Sequence, residues 1–567
     1  MTAFRVGFMT EFIFVLALAI ALGWPMGHYL AAVMRGAPMR GDRLFGLIER
    51  PLYRLLGVDP AQGMSGKAYV TAFLASNAVL GGVVWLLFMT QAWLPLNPNE
   101  APNMRWDLAL HTMVSFVTNT NQQHYSGQAQ LSYLAQMTGI VGLQVVTPLM
   151  GLALVAATLR GLFGGRAAAP RDLGNYWADV IRPAVRLFLP LCLLLSALLT
   201  WQGVPATLEG GPVARPVDSH VAMTQQKIPL GPVAAMVAAK QLGTNGGGWY
   251  GPNSAVPLEN PTPLSNLIET LALILLPVAV VFMVGPFTGR WRFTVLVFGA
   301  MLAMSLVSTG LSLWSEGHSA TSADIALMEG KEVRLGADAS ALWAALTTQT
   351  SNGSVNAMHD SLAPLTGLVA LGNMLINAIW GGIGCGLQQF LVYLLLSVFL
   401  AGLMTGRTPE LFGRKIEAPE VRLLAVLVLL QPLVLLGMTA IALTLPSLAG
   451  NSNPGFHGIS QVFYEYASAY ANNGSGFEGL GDATYWWNLS GAAVLALGRY
   501  PALILPLAIA AMLARKRAVP QGPGSLQIET PTFALTLIAI IVILTLLQFM
   551  PVLVLGPVAD HLALTAQ

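Results

Sequence analysis

The sequence predicts an all-α polytopic membrane protein with ten transmembrane helices. Eight of them form four fused span–pore-helix–loop–span repeats around a central pore, and one extra span stands at each end. Three observations predict this. The chain is 55% hydrophobic and only 10% charged, against about 25% charged in ordinary soluble domains. Ten apolar runs are each long enough, at ~20 residues, to cross hydrocarbon as a helix. A short polar motif recurs four times, each copy between two such runs: Thr118-Asn119-Thr120-Asn121, Thr244-Asn245-Gly246-Gly247, Ser351-Asn352-Gly353-Ser354 and Asn472-Asn473-Gly474-Ser475. The copies lie roughly 107–126 residues apart, the mark of internal duplication.

The runs fall near 9–30, 68–92, 134–159, 184–202, 264–288, 293–314, 366–403, 423–445, 486–513 and 533–556. Arg35, Arg40, Arg43, Arg50, Arg54 and Lys67 follow the first run, too basic a flank for a translocated segment. Residues 1–67 are therefore expected to be a retained N-terminal span, running outside to inside, with a cytoplasmic segment. Alternation from there gives repeats at 68–160, 184–290, 293–405 and 423–515, then a last span at 533–556. Inner segments then hold about 20 of the 28 Lys and Arg, among them Arg160, Arg166, Arg171, Arg290, Arg292, Arg414, Lys415, Arg515, Lys516 and Arg517. Outer segments hold about seven, as the positive-inside rule requires. Both termini are expected outside an inner (cytoplasmic) membrane. About 14 acidic residues in outer segments would concentrate cations there.

Each motif follows a segment too short to span: 106–117, 231–243, 339–350 and 459–471. These read as re-entrant half-helices. Non-helical backbone at membrane depth is tolerated only where protein or a water-filled cavity covers it, and four loops facing one another on an axis meet that condition. A dehydrated monovalent cation needs a cage of oxygens, which backbone carbonyls can supply. Gly246, Gly353 and Gly474 suit the backbone angles required, whereas Thr120 does not, so the ring is expected to be approximately fourfold. Asn119, Asn245, Asn352 and Asn473 are expected to buttress the loops. The hydroxyls of Thr118, Thr244, Ser351 and Ser354 add oxygens. Half-helix carboxyl ends carry partial negative charge, which favours a cation, and the motifs hold no carboxylate, which disfavours a small divalent one.

Other chemistry is thinly represented. Net charge is +2, which gives no case for nucleic acid. Cys192 and Cys385 fall in apolar runs and read as buried thiols, and the eight histidines show no metal-ligand spacing. His124 and His359 flank loops and are expected to hydrogen-bond loop backbone. Asp360, Glu478 and Asp482 lie just past the motifs and are expected to form an attracting vestibule.

The strings TNTNQQHYSG (118–127), QLGTNGGGWYGPNSA (241–255), TSNGSVNAMHDS (350–361) and ANNGSGFEGL (471–480) resemble those of the KdpA family, the potassium-binding subunits of Kdp potassium-transporting P-type ATPases. That family is part of a wider superfamily of potassium transporters built from four channel-like units. The resemblance covers essentially the whole chain. It implies potassium selectivity at the four motifs, and a role for Gln123 in ion affinity and selectivity. Gln122 departs from it, standing where a bulkier aromatic is expected. The resemblance implies no catalytic residues and no cofactor beside the transported potassium. Its implied partners are a KdpB-like ATPase subunit, a KdpC-like subunit and a small KdpF-like peptide, with membrane lipids around them.

Span seven runs about 37 residues and contains Gly381-Gly382-Ile383-Gly384-Cys385-Gly386. Gly costs roughly 1 kcal/mol per helix position against Ala, so Gly381, Gly382, Gly384 and Gly386 invite a break. Close helix packing is one reading. The resemblance favours an intramembrane loop that blocks direct passage below the filter. Arg499 sits near the centre of span nine, where a charge must face a cavity or a partner. It reads either as a structural tie, to backbone carbonyls or Glu269, or as a fixed charge that closes the straight path.

No GxxxxGK[ST] motif and no Asp-Lys-Thr-Gly string occurs, so ATP hydrolysis would have to reside on a partner. The expected function is ATP-driven, high-affinity potassium uptake with that partner. A stand-alone Trk/Ktr-like potassium channel or transporter is the alternative that the loops alone allow. A membrane enzyme acting on lipid or quinone would need a His/Asp/Glu cluster at membrane depth, which the sequence does not display.

Overall fold

The computed structural model describes residues 2–164, 172–218, 220, 222–319, 325–519 and 526–566. Arg166 and Arg171 of the expected basic belt lie outside them. Apart from two short hairpins and one isolated bridge, the described secondary structure is helical. Among the described residues, ten helices are long and apolar enough to cross a membrane, and the protein is a multi-pass membrane protein.

The chain begins with α1 (Thr2–Arg35), then a shorter α2 (Asp42–Leu56). The first pore unit has α3 (Gly66–Thr90), half-helix α4 (Trp106–Val117) and α5 (Ala135–Phe163). The second has α6 (Tyr176–Gln202), half-helix α7 (Val233–Leu242) and α8 (Pro263–Thr288). The third has α9 (Trp291–His318), half-helix α10 (Ala337–Gln349), α11 (Pro364–Ile376) and α12 (Cys385–Met404). The fourth has α13 (Ala418–Thr444), half-helix α14 (Phe456–Ala471) and α15 (Tyr485–Ala514). The last is α16 (Pro531–Thr565).

Helix starts follow local chemistry. Ser65, Asn175, Thr484 and Thr530 each accept a backbone N–H at the start of a helix, satisfying a donor that has no partner inside the helix. Thr262 and Ser265 form a reciprocal capping box ahead of α8. Burial then sorts the spans. The most apolar windows of α5 and α8 are 83% buried, against 22% for α6 and 28% for α13, so α5 and α8 are central and the others face outward. α1 packs along α8 through Gly23 and Gly27: a β-carbon at Gly27 would lie 2.7 Å from the Ala279 carbonyl. Small residues four apart let backbones approach this closely, and close packing drives helix association in lipid.

Span seven breaks. α11 ends at Asn377 with a left-handed φ of 47°, and Gly381 and Gly384 carry φ of 61° and 84° before α12 begins. Gly381, Gly384 and Gly386 are also needed for space. A β-carbon on Gly381 would overlap Gly386, and one on Gly384 would sit 2.6 Å from the Gly151 carbonyl of α5.

Candidate functional site: four loops and the cavity beneath them

Each half-helix ends directly in a motif loop, and the loops share one backbone pattern. Positive φ occurs at Asn119 and Asn121, Thr244 and Gly246, Ser351 and Gly353, and Asn472 and Gly474. The N–H of the residue between each pair bonds back to the half-helix: Thr120 to Ser115, Asn245 to Lys240, Asn352 to Thr347, Asn473 to Ser468. The first loop is therefore offset by one from its sequence alignment. Thr120 stands with Asn245, Asn352 and Asn473, and Asn121 takes the place of Gly246, Gly353 and Gly474. A hydroxyl residue with negative φ suits that middle position. Asn at the next tolerates the left-handed angle.

The loops close into a ring. A β-carbon on Gly246 would run into the Asn352 carbonyl oxygen, one on Gly353 into that of Asn473, and one on Gly474 into that of Thr120. Glycine is thus required twice, by φ and by the neighbouring loop. The middle carbonyls of all four loops belong to buried residues, and among the described residues no hydrogen-bond donor reaches them. The carbonyls of Gly246 and Gly247 are different: Asn253 and Gln144 donate to them at 2.6 and 2.8 Å. A buried carbonyl without a donor is uncommon and calls for a partner.

Side chains hold the ring from behind. Asn352 Nδ2 donates to the Lys240 carbonyl at 3.2 Å and Asn473 Nδ2 to that of Thr347 at 2.9 Å, each reaching the preceding unit's half-helix. Asn119 and Asn245 meet at their amides, 2.5 Å apart. Gln123 pairs with the Gly248 backbone in both directions, at 3.0 and 2.8 Å, so it locks loop one to loop two. The hydroxyls are used as braces. Thr118 donates to Val114, Ser351 to Asn377 at 2.6 Å, Ser354 to Gln241 at 3.0 Å, and Thr244 accepts the Ile383 N–H at 3.2 Å. His124 and His359 bond side chains instead of loop backbone: His124 meets Asn488 and Glu465, and His359 meets the Tyr464 hydroxyl. Gln122 donates to Glu465 Oε1 at 2.6 Å.

A vestibule of about 830 Å³ opens above the ring, reached by Gln123, Gly353, Gly474, Glu465, Glu478 and Asp482. Asp360 turns away from it and pairs with His457 at 2.9 Å. On the opposite side lies a cavity of about 20 Å³, lined by Asn119, Ser351, Asn472, Gly382, Cys385 and Arg499 among others. That volume is about the size of one water-sized sphere. Its floor is the break in span seven. The N–H groups of Trp380 and Gly381 bond the Gln349 carbonyl, and Asn377 Nδ2 bonds that of Ala471 at 3.0 Å, so the floor hangs from the ends of two half-helices. Arg499 is held by Cys385 Sγ at 2.6 Å and the Thr147 carbonyl at 3.4 Å. Glu269 is not its partner; that carboxylate takes Gln241 and Ser254.

The comparison with known families falls on this whole arrangement. The family described as "KdpA: Potassium-transporting ATPase A subunit" matches residues 13–562. The chain belongs to the KdpA family. A relative from Gloeobacter violaceus named "Potassium-transporting ATPase potassium-binding subunit" is 46% identical over 562 residues, covering 97% of each chain. One of the same name from Pseudomonas putida is 44% identical, covering 95% of this chain and 96% of its own. Among solved structures, the potassium transporter TrkH from Vibrio parahaemolyticus aligns with a TM-score of 0.51 at 15% identity, over 89% of this chain and 97% of its own. That likeness concerns the fold.

This KdpA-family chain also has a support that spacing could not announce. Lys240, on half-helix α7, is fully buried and donates to Asn253 at 2.5 Å, to Ser254 at 2.7 Å and to Glu259. Asn253 is the residue that bonds the Gly246 carbonyl. A buried ion pair therefore orients the second loop through one amide. Lys331 and Glu316, 3.0 Å apart and with side chains each 1% exposed, form a second such pair in the third unit.

Proposed function

We propose that this chain binds potassium on the outer side of an inner membrane and passes it to a P-type ATPase subunit for ATP-driven uptake. The ring of four buried, donor-free carbonyls supports this most directly. Dehydrated potassium exchanges water oxygens for carbonyl oxygens, and Thr120, Asn245, Asn352 and Asn473 offer one each. Filter binding is assigned to Thr118, Asn119, Thr120, Asn121 and Gln123, to Thr244 through Gly247, to Ser351 through Ser354, and to Asn472 through Ser475. Gly381, Gly382, Gly384, Gly386 and Arg499 close the straight path below. The Arg499 guanidinium repels a cation that reaches the small cavity, so the ion must leave sideways to a partner.

The relatives' name carries the pump part of the reading. The chain itself performs no catalysis; a KdpB-like subunit hydrolyses ATP, with KdpC-like and KdpF-like subunits in the complex. Both termini lie on the outer side. The alternative that the four loops alone allow is a stand-alone Trk/Ktr-like potassium channel or transporter.

Rubidium flux into liposomes holding the purified chain alone, paired with ATPase assays of the complex it forms in native membranes, separates the two. Little flux alone and a potassium-stimulated, vanadate-sensitive ATPase in the complex is the expected result. Brisk flux down a gradient with no attached ATPase would establish the alternative.

A further inference from the structure

We propose that α2 is an interfacial helix that binds anionic phospholipid headgroups on the membrane face opposite the filter loops. Topology places it there: α2 joins α1 to α3, and the first filter loop follows the far end of α3.

At 3.6 residues per turn, α2 has three distinct faces. Glu49 and Tyr53 are buried. Glu49 and Asp42 both pair with Arg186 of α6, at 2.6 and 2.8 Å, while Tyr53 packs with Ile181 and Val185. That face is the attachment to the bundle. A second face presents Leu44, Leu47, Ile48, Leu52, Leu55 and Leu56, all exposed, with Leu47 at 71% and Leu55 at 82%. Their spacing of three and four makes one continuous apolar stripe. The third face holds Arg43, Arg50 and Arg54, all exposed, spaced by seven and four. Among the described residues none of the three has an acidic partner, because the helix's own acids are taken by Arg186.

An apolar stripe beside a basic row is the pattern of a helix lying in the headgroup region, leucines toward acyl chains and cations toward phosphates. Charge complementarity selects anionic lipid over zwitterionic lipid. The stripe also continues a lipid-facing belt, since Leu193 and Leu194 of neighbouring α6 are exposed at 72% and 59%.

The test uses the full chain in detergent, with thermal stability followed during titration of phosphatidylglycerol or phosphatidylcholine. Phosphatidylglycerol is expected to stabilise the chain at far lower concentration. The triple change Arg43→Gln, Arg50→Gln, Arg54→Gln is expected to raise its midpoint roughly a hundredfold and to leave the phosphatidylcholine response unchanged. Equal responses to the two lipids, or a triple variant with the normal midpoint, would overturn the proposal. A spin label at Leu47→Cys in lipid nanodiscs gives a second reading. High oxygen accessibility and low accessibility to a water-soluble nickel reagent is expected. A label open to water, or one shielded only when the ATPase subunit is bound, would overturn the proposal and in the second case make this face a protein interface.

Discussion

The side chain of Asn121 fills the space that a β-carbon on Gly247 would need; the two β-carbons would lie 2.8 Å apart. Loops three and four have Ser354 and Ser475 where loop two has Gly247, and in the loops before them the place of Asn121 is held by Gly246 and Gly353. Gly247→Ser is therefore expected to raise the potassium concentration for half-maximal ATPase of the isolated complex by about tenfold, or about 1.4 kcal/mol. Adding Asn121→Gly should restore most of that loss, because contacting residues couple. A double variant no better than the single one would mean that the two sites act separately.

Gly353→Ala places a β-carbon against the Asn473 carbonyl oxygen and imposes a left-handed angle on an alanine, at about 1–2 kcal/mol. Potassium affinity should fall more than tenfold. Gly310→Ala, in open space on α9, is the matched control and should behave as wild type. Normal affinity and selectivity in Gly353→Ala would show that the loops are scaffold only.

Lys240→Met leaves Glu259 buried without its cation, which costs about 3–5 kcal/mol for such pairs. The melting temperature should drop, and the Lys240→Met, Glu259→Gln pair should recover more than half of the drop. Loss of potassium affinity is expected alongside, since Asn253 would lose one of its anchors.

Arg499→Ala removes the charge beneath the ring. Coupling between ATP hydrolysis and rubidium uptake, or potassium affinity, should change. Cys385→Ser keeps a polar atom beside Arg499 and should stay within about twofold of wild type. Unchanged uptake and affinity in Arg499→Ala would reduce this residue to a structural tie.

His457 lies between Asp360 and Asp560, 2.9 Å from each. Burial alone would lower its pKa, but hydrogen bonds and charge from the two carboxylates outweigh this and raise it from 6.5 to about 9. A pKa raised on folding gives stability that is whole below the unfolded value and lost as pH rises through the folded one. The stability gap between wild type and His457→Gln should therefore be full near pH 6 and vanish above about pH 9. A gap independent of pH would show that His457 contributes by packing.

Much of this arrangement was legible from sequence because its signals are local and repeated. Hydrophobic length marked the spans, and Asn-Gly pairs marked three loops. In sequence Asn119 aligns with Asn245, and only the backbone angles reveal that Thr120 is the counterpart of Asn245. In the sequence the hydroxyls of Ser351 and Ser354 are simply available oxygens, and only the fold shows them donating to Asn377 and Gln241. Lys240, Asn253 and Glu259 come together across a folded loop, so no spacing rule connects them. The Arg499 partner was equally hidden: its thiol comes from the third unit, which is distant in sequence.

The ring joins four unlike loops on one covalent chain. In a pore assembled from four identical subunits, every substitution would appear four times at once, and a bulky change at one loop could not be answered by a small one at its neighbour. Here the order of neighbours is set by the chain, so each loop can change alone and its partner can adjust to it. Such a pore can carry a single asymmetric exit, which a symmetric one could not.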